Sequence, residues 1–283
     1  MQEAWRAATL SSLVERADAN SLATAAVLSY PGKAPAQVWA ERASQLAPES
    51  PAIGWLRVQI CANTAGCDIR EAATAMRWID ADNGAAWLPM LTVARKDRDT
   101  MEVDRILAHM AQGARFDLYW NQLVALMFDS LNASRRTAHG DYLAADWKRL
   151  NFVLGLAGAE LIPAFSPLID VCREPAASTE RHEACLKISK IMQSSDTILA
   201  QMAGLNMERR LVPADSKEAR AILERRRTLT WRMTMAAQVE SPMLPWSKNA
   251  RARRRLSRMR AMPREEDVCI AILQDHNLVI DPP

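Results

Sequence analysis

The sequence predicts an all-α protein, and three observations support this class. The chain of 283 residues has only nine glycines and is rich in Ala, Leu, Arg, Met and Glu, which favour helices. Helix signals recur along it: Pro48 ends one predicted helix and Pro51 begins the next. Similar residues also recur every 32 positions over residues 36–131. Because such a period is typical of stacked helical repeats, we expect an α-solenoid followed by a helical C-terminal region.

The repeat predicts three stacked helix pairs over residues 36–131, related by one repeated rotation and translation. Four sets of residues fall in step: Trp55, Trp87 and Tyr119; Leu46, Trp78 and Met110; Ala43, Ala75 and Leu107; Leu56, Leu88 and Trp120. Trp55 and Trp87 should then be buried in matching environments. The register is lost after Ser134, so we divide the chain into a repeat array, residues 1–134, and a helical C-terminal region, residues 135–283.

Local signals set the individual helices. Ser21 or Asn20 caps the second helix, and Asp68 with Glu71 has the capping-box spacing of a helix that ends near Ile79. The other predicted helices span residues 3–17, 35–47, 51–62, 85–95, 100–113, 117–130, 141–159, 179–192, 196–204, 217–240 and 250–262. Residues 135–139 are interpreted as a linker, residues 163–175 as an irregular crossing, and residues 241–246 as a stiff, proline-containing connector.

Charge is distributed unevenly along the chain. Residues 208–264 contain sixteen Lys and Arg against five Asp and Glu, although the whole chain carries a net charge of only +3. Within this basic quarter, Ala252, Leu256 and Met259 form an apolar stripe on one helix. The opposite face carries the candidate partner-binding residues Arg251, Arg254, Arg255 and Arg258. The alternatives are docking on the acidic body of the same chain, an acidic protein partner, nucleic acid, a membrane surface and a solvated helix face. The helix lacks the stacking aromatics that favour nucleic acid.

The five cysteines include two close pairs, Cys61 with Cys67 and Cys172 with Cys185, which are candidate disulfides; Cys269 is left over. Such bonds fit an oxidising compartment. The sequence shows no signal peptide, because Met1 leads directly into a polar helix. We therefore expect either a periplasmic or secreted protein that has lost its leader, or a cytoplasmic protein with reduced thiols. No transmembrane segment is expected.

Motifs that carry chemistry are absent from the sequence, and we expect no cofactor, metal site or catalytic residue. His182-Glu183 lacks the second histidine of a zinc-protease helix and is interpreted as a surface helix start. Gly155 and Gly158 have no preceding strand and are interpreted as a tight helix contact. Acid pairs such as Asp80 with Asp82, or Asp97 with Asp99, are interpreted as helix caps. A hydrolase with acids assembled in space stays an alternative.

The helix pairs resemble the tetratricopeptide repeat, in which a large aromatic residue near the start of one helix packs on small residues of the next. The resemblance covers residues 20–131, in which Trp55 and Trp87 take the aromatic position. The period of 32 instead of 34 and the missing Leu-Gly pair depart from the family. The chain is also similar to uncharacterised helical envelope proteins of Gram-negative bacteria, which have cysteine pairs in their array loops.

Together these features predict a non-enzymatic protein-binding module, in which the repeats present a concave surface to a partner protein. If the cysteines pair, the expected role is that of a periplasmic inhibitor or immunity-type partner of a secreted enzyme. The alternatives are the hydrolase and a nucleic-acid binder that uses the C-terminal arginine helix.

Overall fold

The computed structural model describes residues 2–29, 34–134, 143–173, 178–240 and 247–283, and these residues form fifteen α-helices and no β-strand. The helices are α1 (Gln2–Arg16), α2 (Ala19–Ser29), α3 (Ala34–Leu46), α4 (Pro51–Ala62), α5 (Ile69–Ile79), α6 (Leu88–Lys96), α7 (Thr100–Gln112), α8 (Trp120–Ala133), α9 (Asp146–Glu160), α10 (Ser166–Arg173), α11 (Thr179–Met192), α12 (Ile198–Leu211), α13 (Lys217–Glu240), α14 (Ser247–Ala261) and α15 (Glu265–Asp275), with a 3-10 helix (Gly84–Trp87) before α6. The all-α class is confirmed. The predicted linker at 135–139 and connector at 241–246 lie outside the described residues.

The helices belong to two compact units, each assembled from three separate stretches of chain. Unit 1 comprises Met1–Ile79, Tyr119–Ile162 and Pro242–Pro263, and unit 2 comprises Asp80–Leu118, Pro163–Ser241 and Arg264–Pro283. The 32-residue repeat is therefore shared between the two units, since residues 80–118 belong to unit 2. A solenoid over residues 36–131 and a domain boundary at residue 134 stay predictions.

Helix α2 lies at the centre of unit 1. It packs against α1, α3, α4, α8 and α9, and every residue from Ser21 to Ser29 is buried. The small residues of its sequence ANSLATAAVLS let several helices approach its backbone. Around it the first five helices pack in chain order, each on the next, while α8, α9 and α14 pack against one another.

Unit 2 is built around α11 and α12. Helix α11 packs on α7 and α12, and α13 packs on both α12 and α15. The approach of α11 to α12 is close at Gly204, where an added Cβ would lie 2.7 Å from the Met192 Cβ and from the Ser189 carbonyl oxygen. The tight contact predicted at Gly155 and Gly158 is wrong: a Cβ at Gly155 would meet nothing within 4 Å, and one at Gly158 would lie 3.8 Å from Trp120, an ordinary contact. In unit 2, Gly204 marks a close helix contact that was not predicted.

Two inter-helix turns of unit 2 lie side by side, and their paired residues are 32 positions apart. Asn83 and Arg115 form an isolated parallel bridge, in which the Gly84 N–H donates to the Arg115 carbonyl at 2.9 Å. The Asn83 side chain fixes this arrangement, donating to the Asp117 carbonyl at 2.9 Å and accepting from the Asp117 N–H at 3.0 Å. The period of the sequence is therefore a physical pairing of equivalent turns at this point.

The prediction that Trp55 and Trp87 share matching environments is wrong. Trp55 is fully buried in the middle of α4, whereas Trp87 is half-buried at the end of the 3-10 helix and stacks on His109 with 4.4 Å between ring centroids. The cause is local, because the Asn83 side chain accepts the Ala85 N–H and starts a tight 3-10 turn. Helix α6 then begins only at Leu88, after the tryptophan.

Candidate interaction surfaces

The basic helix α14 is anchored within unit 1 by its apolar stripe. Ala252, Leu256 and Met259 are buried, as predicted, against a helix surface that α8 and α9 provide. Two further arginines hold it by ion pairs: Arg253 Nε donates to Asp146 at 2.6 Å, and Arg260 pairs with Asp129. Neither arginine was predicted as an anchoring residue. In the sequence, only the acidic residues of α8 and α9 indicate that such ion pairs could form.

The four candidate partner-binding arginines differ in their availability. Arg251, Arg255 and Arg258 are half-buried and each has an interaction within the chain. Arg254 is exposed. Of the four, Arg254 therefore presents its guanidinium most openly to a partner, and the helix as a whole is a structural part of unit 1.

Both predicted cysteine pairs are at disulfide distance. Cys61, in the last turn of α4, lies 2.00 Å from Cys67 between sulfur atoms, with 5.3 Å between the Cα atoms. Cys172 and Cys185 connect α10 and α11, with 2.02 Å between sulfur atoms and 5.7 Å between Cα atoms. These separations fall within the range for disulfides. Cys269 is half-buried and lies outside both pairs.

A pocket of about 260 Å³ opens beside the first cysteine pair, between α3, α4 and the start of α5. Its charged lining consists of Glu41, Arg57, Asp68 and Glu71. Arg57 pairs with Glu71, and one carboxylate oxygen of Asp68 accepts the N–H groups of Arg70 and Glu71 at 3.0 Å. The Asp68 contacts confirm the predicted cap. Three carboxylates against one guanidinium leave the pocket with a net negative charge.

One member of each acid pair predicted as caps, Asp99 and Asp80, has a structural partner. Asp99 accepts the Glu102 N–H at 2.9 Å and caps α7, as predicted. Asp80 is buried and binds Arg115, which also donates to Asp117 at 3.0 Å. Burial raises the pKa of Asp80, while hydrogen bonds from Asn83 and Arg115 act in the opposite direction. Because the guanidinium lies between the two carboxylates, this cluster is arranged as an ion-pair network.

Histidines and metal-ligating groups do not converge in the described parts of the chain. His182 is exposed in the first turn of α11, the surface position predicted for it. His109 stacks on Trp87. Among the described residues no group of three or more His, Cys, Asp or Glu could hold a metal ion. Nor does any described helix have the length and apolarity to cross a membrane.

Large apolar side chains are exposed at two equivalent positions of the repeat. Leu46, at the end of α3, is 52% exposed, and Trp78, in the last turn of α5, is 85% exposed. Both belong to unit 1. Met110, the third member of the set, belongs to unit 2 and is buried. The recurrence of these residues in the sequence did not reveal their exposure, because hydrophobic periodicity alone does not distinguish a buried position from a binding position.

Comparison with known proteins gives no relative: no protein-family model, curated protein or solved structure matches this chain.

Proposed function

We propose that this chain is a non-enzymatic protein-binding module, with Leu46 and Trp78 in the contact surface of unit 1. The exposure of Trp78 carries the proposal. An indole that is 85% exposed contributes little to folding, because the hydrophobic effect stabilises a side chain only when it is removed from water. Tryptophan is also enriched among the residues that dominate binding energy at protein interfaces.

The helix order of unit 1 supports a repeat architecture for this surface. Helices α1 to α5 pack in sequence, and α2 also contacts α4, as expected where helix pairs stack. We propose that these helices form a short, tetratricopeptide-like solenoid. Equivalent positions of a stacked array face the same way, so Leu46 and Trp78 would line one edge. The acidic pocket between α3, α4 and α5 would then favour a basic group on the partner.

The cysteine pairs support a proposal about compartment and role. Disulfides persist in oxidising compartments, so we propose a periplasmic or secreted protein, similar to helical envelope proteins of Gram-negative bacteria. The partner would be a secreted enzyme that this chain inhibits, as an immunity protein does.

Affinity capture with Trp78→Ser tests the proposal. The wild-type chain is immobilised and incubated with periplasmic extract of the native host, from which it should retain one protein in stoichiometric amount. The purified partner should then bind the variant at least about 25-fold more weakly by calorimetry, since truncating a dominant interface residue costs about 2 kcal/mol or more. Leu46→Ser should show a smaller loss.

Met101→Ser is the matched control, because Met101 is 75% exposed but belongs to unit 2, outside the proposed edge. It should leave partner affinity unchanged, and circular dichroism should show all variants folded. Equal affinity of the wild type and Trp78→Ser for every retained protein would refute this surface. Turnover of a substrate by the purified chain would refute the non-enzymatic role.

A further inference from the structure

The last residues of the chain, 278–283, lie along α13 and have no helical structure. Side chains of the helix donate to main-chain oxygens of this segment: the Trp231 indole N–H to Val279 at 3.2 Å, Arg232 Nε to Ile280 at 3.3 Å, and Arg227 to Pro283. Three hydrogen bonds from one helix to one non-helical segment are those of a bound peptide, here supplied by the chain itself.

The exposure of the segment alternates along its length. Leu278, Ile280 and Pro282 are half-buried, whereas Val279, Asp281 and Pro283 are exposed. The three half-buried side chains therefore supply the apolar part of the contact. Asp281 adds a charged contact, accepting from the Arg232 guanidinium at 2.6 Å.

The donors of α13 are prepared for this role by the rest of unit 2. Arg227 and Trp231 are four residues apart and therefore share one side of the helix. Arg232 is held by the buried Glu266, to which it donates at 2.5 Å. Its free nitrogens are thus fixed toward the segment before the segment binds, and preorganised donors lose less entropy on binding.

We propose that the α13 surface formed by Arg227, Trp231 and Arg232 is a docking site for a non-helical segment of another protein, and that residues 278–283 cover it when that protein is absent. The contacts define the partner segment: main-chain carbonyls for the three donors, aliphatic or proline side chains at alternate positions, and one carboxylate for Arg232. This is a proline-containing peptide with an acidic residue. The site lies in unit 2 and does not rest on the surface proposed for Leu46 and Trp78.

Exchange with a partner is feasible because the contacts of the covering segment are exposed. Asp281 is 72% exposed in its ion pair, and exposed ion pairs contribute little. The segment competes mainly through its attachment, which gives it an effective concentration on the order of millimolar. A partner must therefore outcompete a weak contact held at high local concentration.

A peptide-binding experiment on the full-length chain tests the proposal. The probe is a fluorescent peptide of residues 277–283 with an amidated end, and anisotropy measures its affinity. The variant Ile280→Gly with Asp281→Ala weakens the covering segment. It should bind the peptide about tenfold more tightly than the wild type does, which corresponds to about 1.4 kcal/mol of internal competition removed. A peptide in which Asn replaces the residue equivalent to Asp281 should bind more weakly.

Changes in α13 locate the binding. Adding Arg227→Ala and Trp231→Phe to the weakened variant should reduce peptide affinity at least about tenfold, while leaving Arg232 bound to Glu266. Arg227→Ala alone, at an exposed position, should give part of this loss. Arg220→Ala is the matched control: it removes the same charge from an exposed position of α13, outside the path of the segment, and should change nothing.

Three outcomes would overturn the proposal. The first is that the weakened variant gains no affinity for the peptide, and the second is that its binding is insensitive to Arg227→Ala with Trp231→Phe. The third is that light scattering shows the weakened variant or the wild type to be a dimer that the peptide does not dissociate. A second copy of the chain would then occupy the surface.

Discussion

Glu266 is a buried carboxylate that holds three arginines of unit 2. It accepts from Arg225 at 2.6 Å, Arg232 at 2.5 Å and Arg264 at 3.2 Å, and its own side chain is 3% exposed. Burial by itself raises the pKa of Glu266, but the hydrogen bonds and positive charges of Arg225 and Arg232 outweigh burial, so its pKa lies below the usual 4.5. The carboxylate therefore stays ionised and ties α15 to α13.

We expect Glu266→Gln to lower the free energy of unfolding by about 2 kcal/mol at pH 7. A hydrogen bond to a charged group contributes about 1.5–3 kcal/mol, and the partial access of the arginines to water keeps the loss at the lower end of this range. A lowered folded-state pKa stabilises the protein above the unfolded value of about 4.5, and this contribution is lost as the pH falls through the folded value. The free energy of unfolding, measured with urea between pH 7 and 3, should therefore fall less with decreasing pH in the variant than in the wild type. An equal decrease in both proteins would contradict a lowered pKa of Glu266.

The sequence predicts little of this residue-scale detail. Glu266 stands in an acidic helix start, and its burial is not indicated by the sequence around it, because two of its three arginines, Arg225 and Arg232, lie 41 and 34 residues earlier. Asp68 and Asp99 were predictable as caps, since their hydrogen bonds go to residues two or three positions away. Contacts that depend on tertiary packing leave no such local pattern.

At the scale of the helices, Gly204 and Gly155 make a matched pair. Gly204→Ala should destabilise the protein by about 1–3 kcal/mol, because its Cβ would press on Met192 where α12 crosses α11. Gly155→Ala, in an open part of α9, should stabilise it by about 0.5–1 kcal/mol through helix propensity. Thermal or urea unfolding of both variants measures this. Equal changes in stability in the two variants would show that helix propensity, and not packing, determines the effect of replacing these glycines.

The cysteine pairs lead to a second prediction at this scale, since Cys172–Cys185 joins α10 to α11 and Cys61–Cys67 joins the end of α4 to the loop before α5. Thiol titration of denatured, unreduced protein should find one thiol, that of Cys269. Replacing Cys172 and Cys185 by Ser should lower stability by roughly 2–3 kcal/mol, because the bond closes a short loop in the unfolded chain. Five titratable thiols would instead remove the argument for an oxidising compartment.

Helix positions were the most predictable feature of the chain. Helix α4 spans Pro51–Ala62, the range that Pro51 and the apolar run indicate, and α13 and α11 match the predicted 217–240 and 179–192. The predicted helix 85–95 instead divides into a 3-10 turn and α6, because Asn83 bonds to the neighbouring turn. The prediction failed at the point where a side chain forms hydrogen bonds with a turn that is distant in the sequence.

At the scale of the whole molecule, the interleaved units make a prediction about fragments. Residues 1–134 should not fold alone, because this fragment lacks α9 and α14, which cover α8, and holds only Asp80–Leu118 of unit 2. Its near-ultraviolet circular dichroism should lack the native signal and its unfolding should not be cooperative. A cooperatively folded fragment would support an independent repeat array with a boundary at residue 134.

The basic quarter gives the other whole-molecule prediction, which concerns nucleic acid. Since Arg251, Arg255 and Arg258 already interact within the chain, we expect only weak binding to arbitrary DNA or RNA at low salt. Tight binding that falls steeply with rising salt, and is lost when these three residues and Arg254 are replaced, would show phosphate contacts by counterion release. Filter binding over a range of salt concentrations decides between the two.

The interleaving of the units also governs when the chain can fold during synthesis. Unit 1 includes the stretch Pro242–Pro263 and unit 2 the stretch Arg264–Pro283, so neither is complete before these stretches have left the ribosome. Domains usually fold one after another as they emerge. Here neither unit is finished while residues 1–241 are synthesised, and the chain stays open to chaperones over that time.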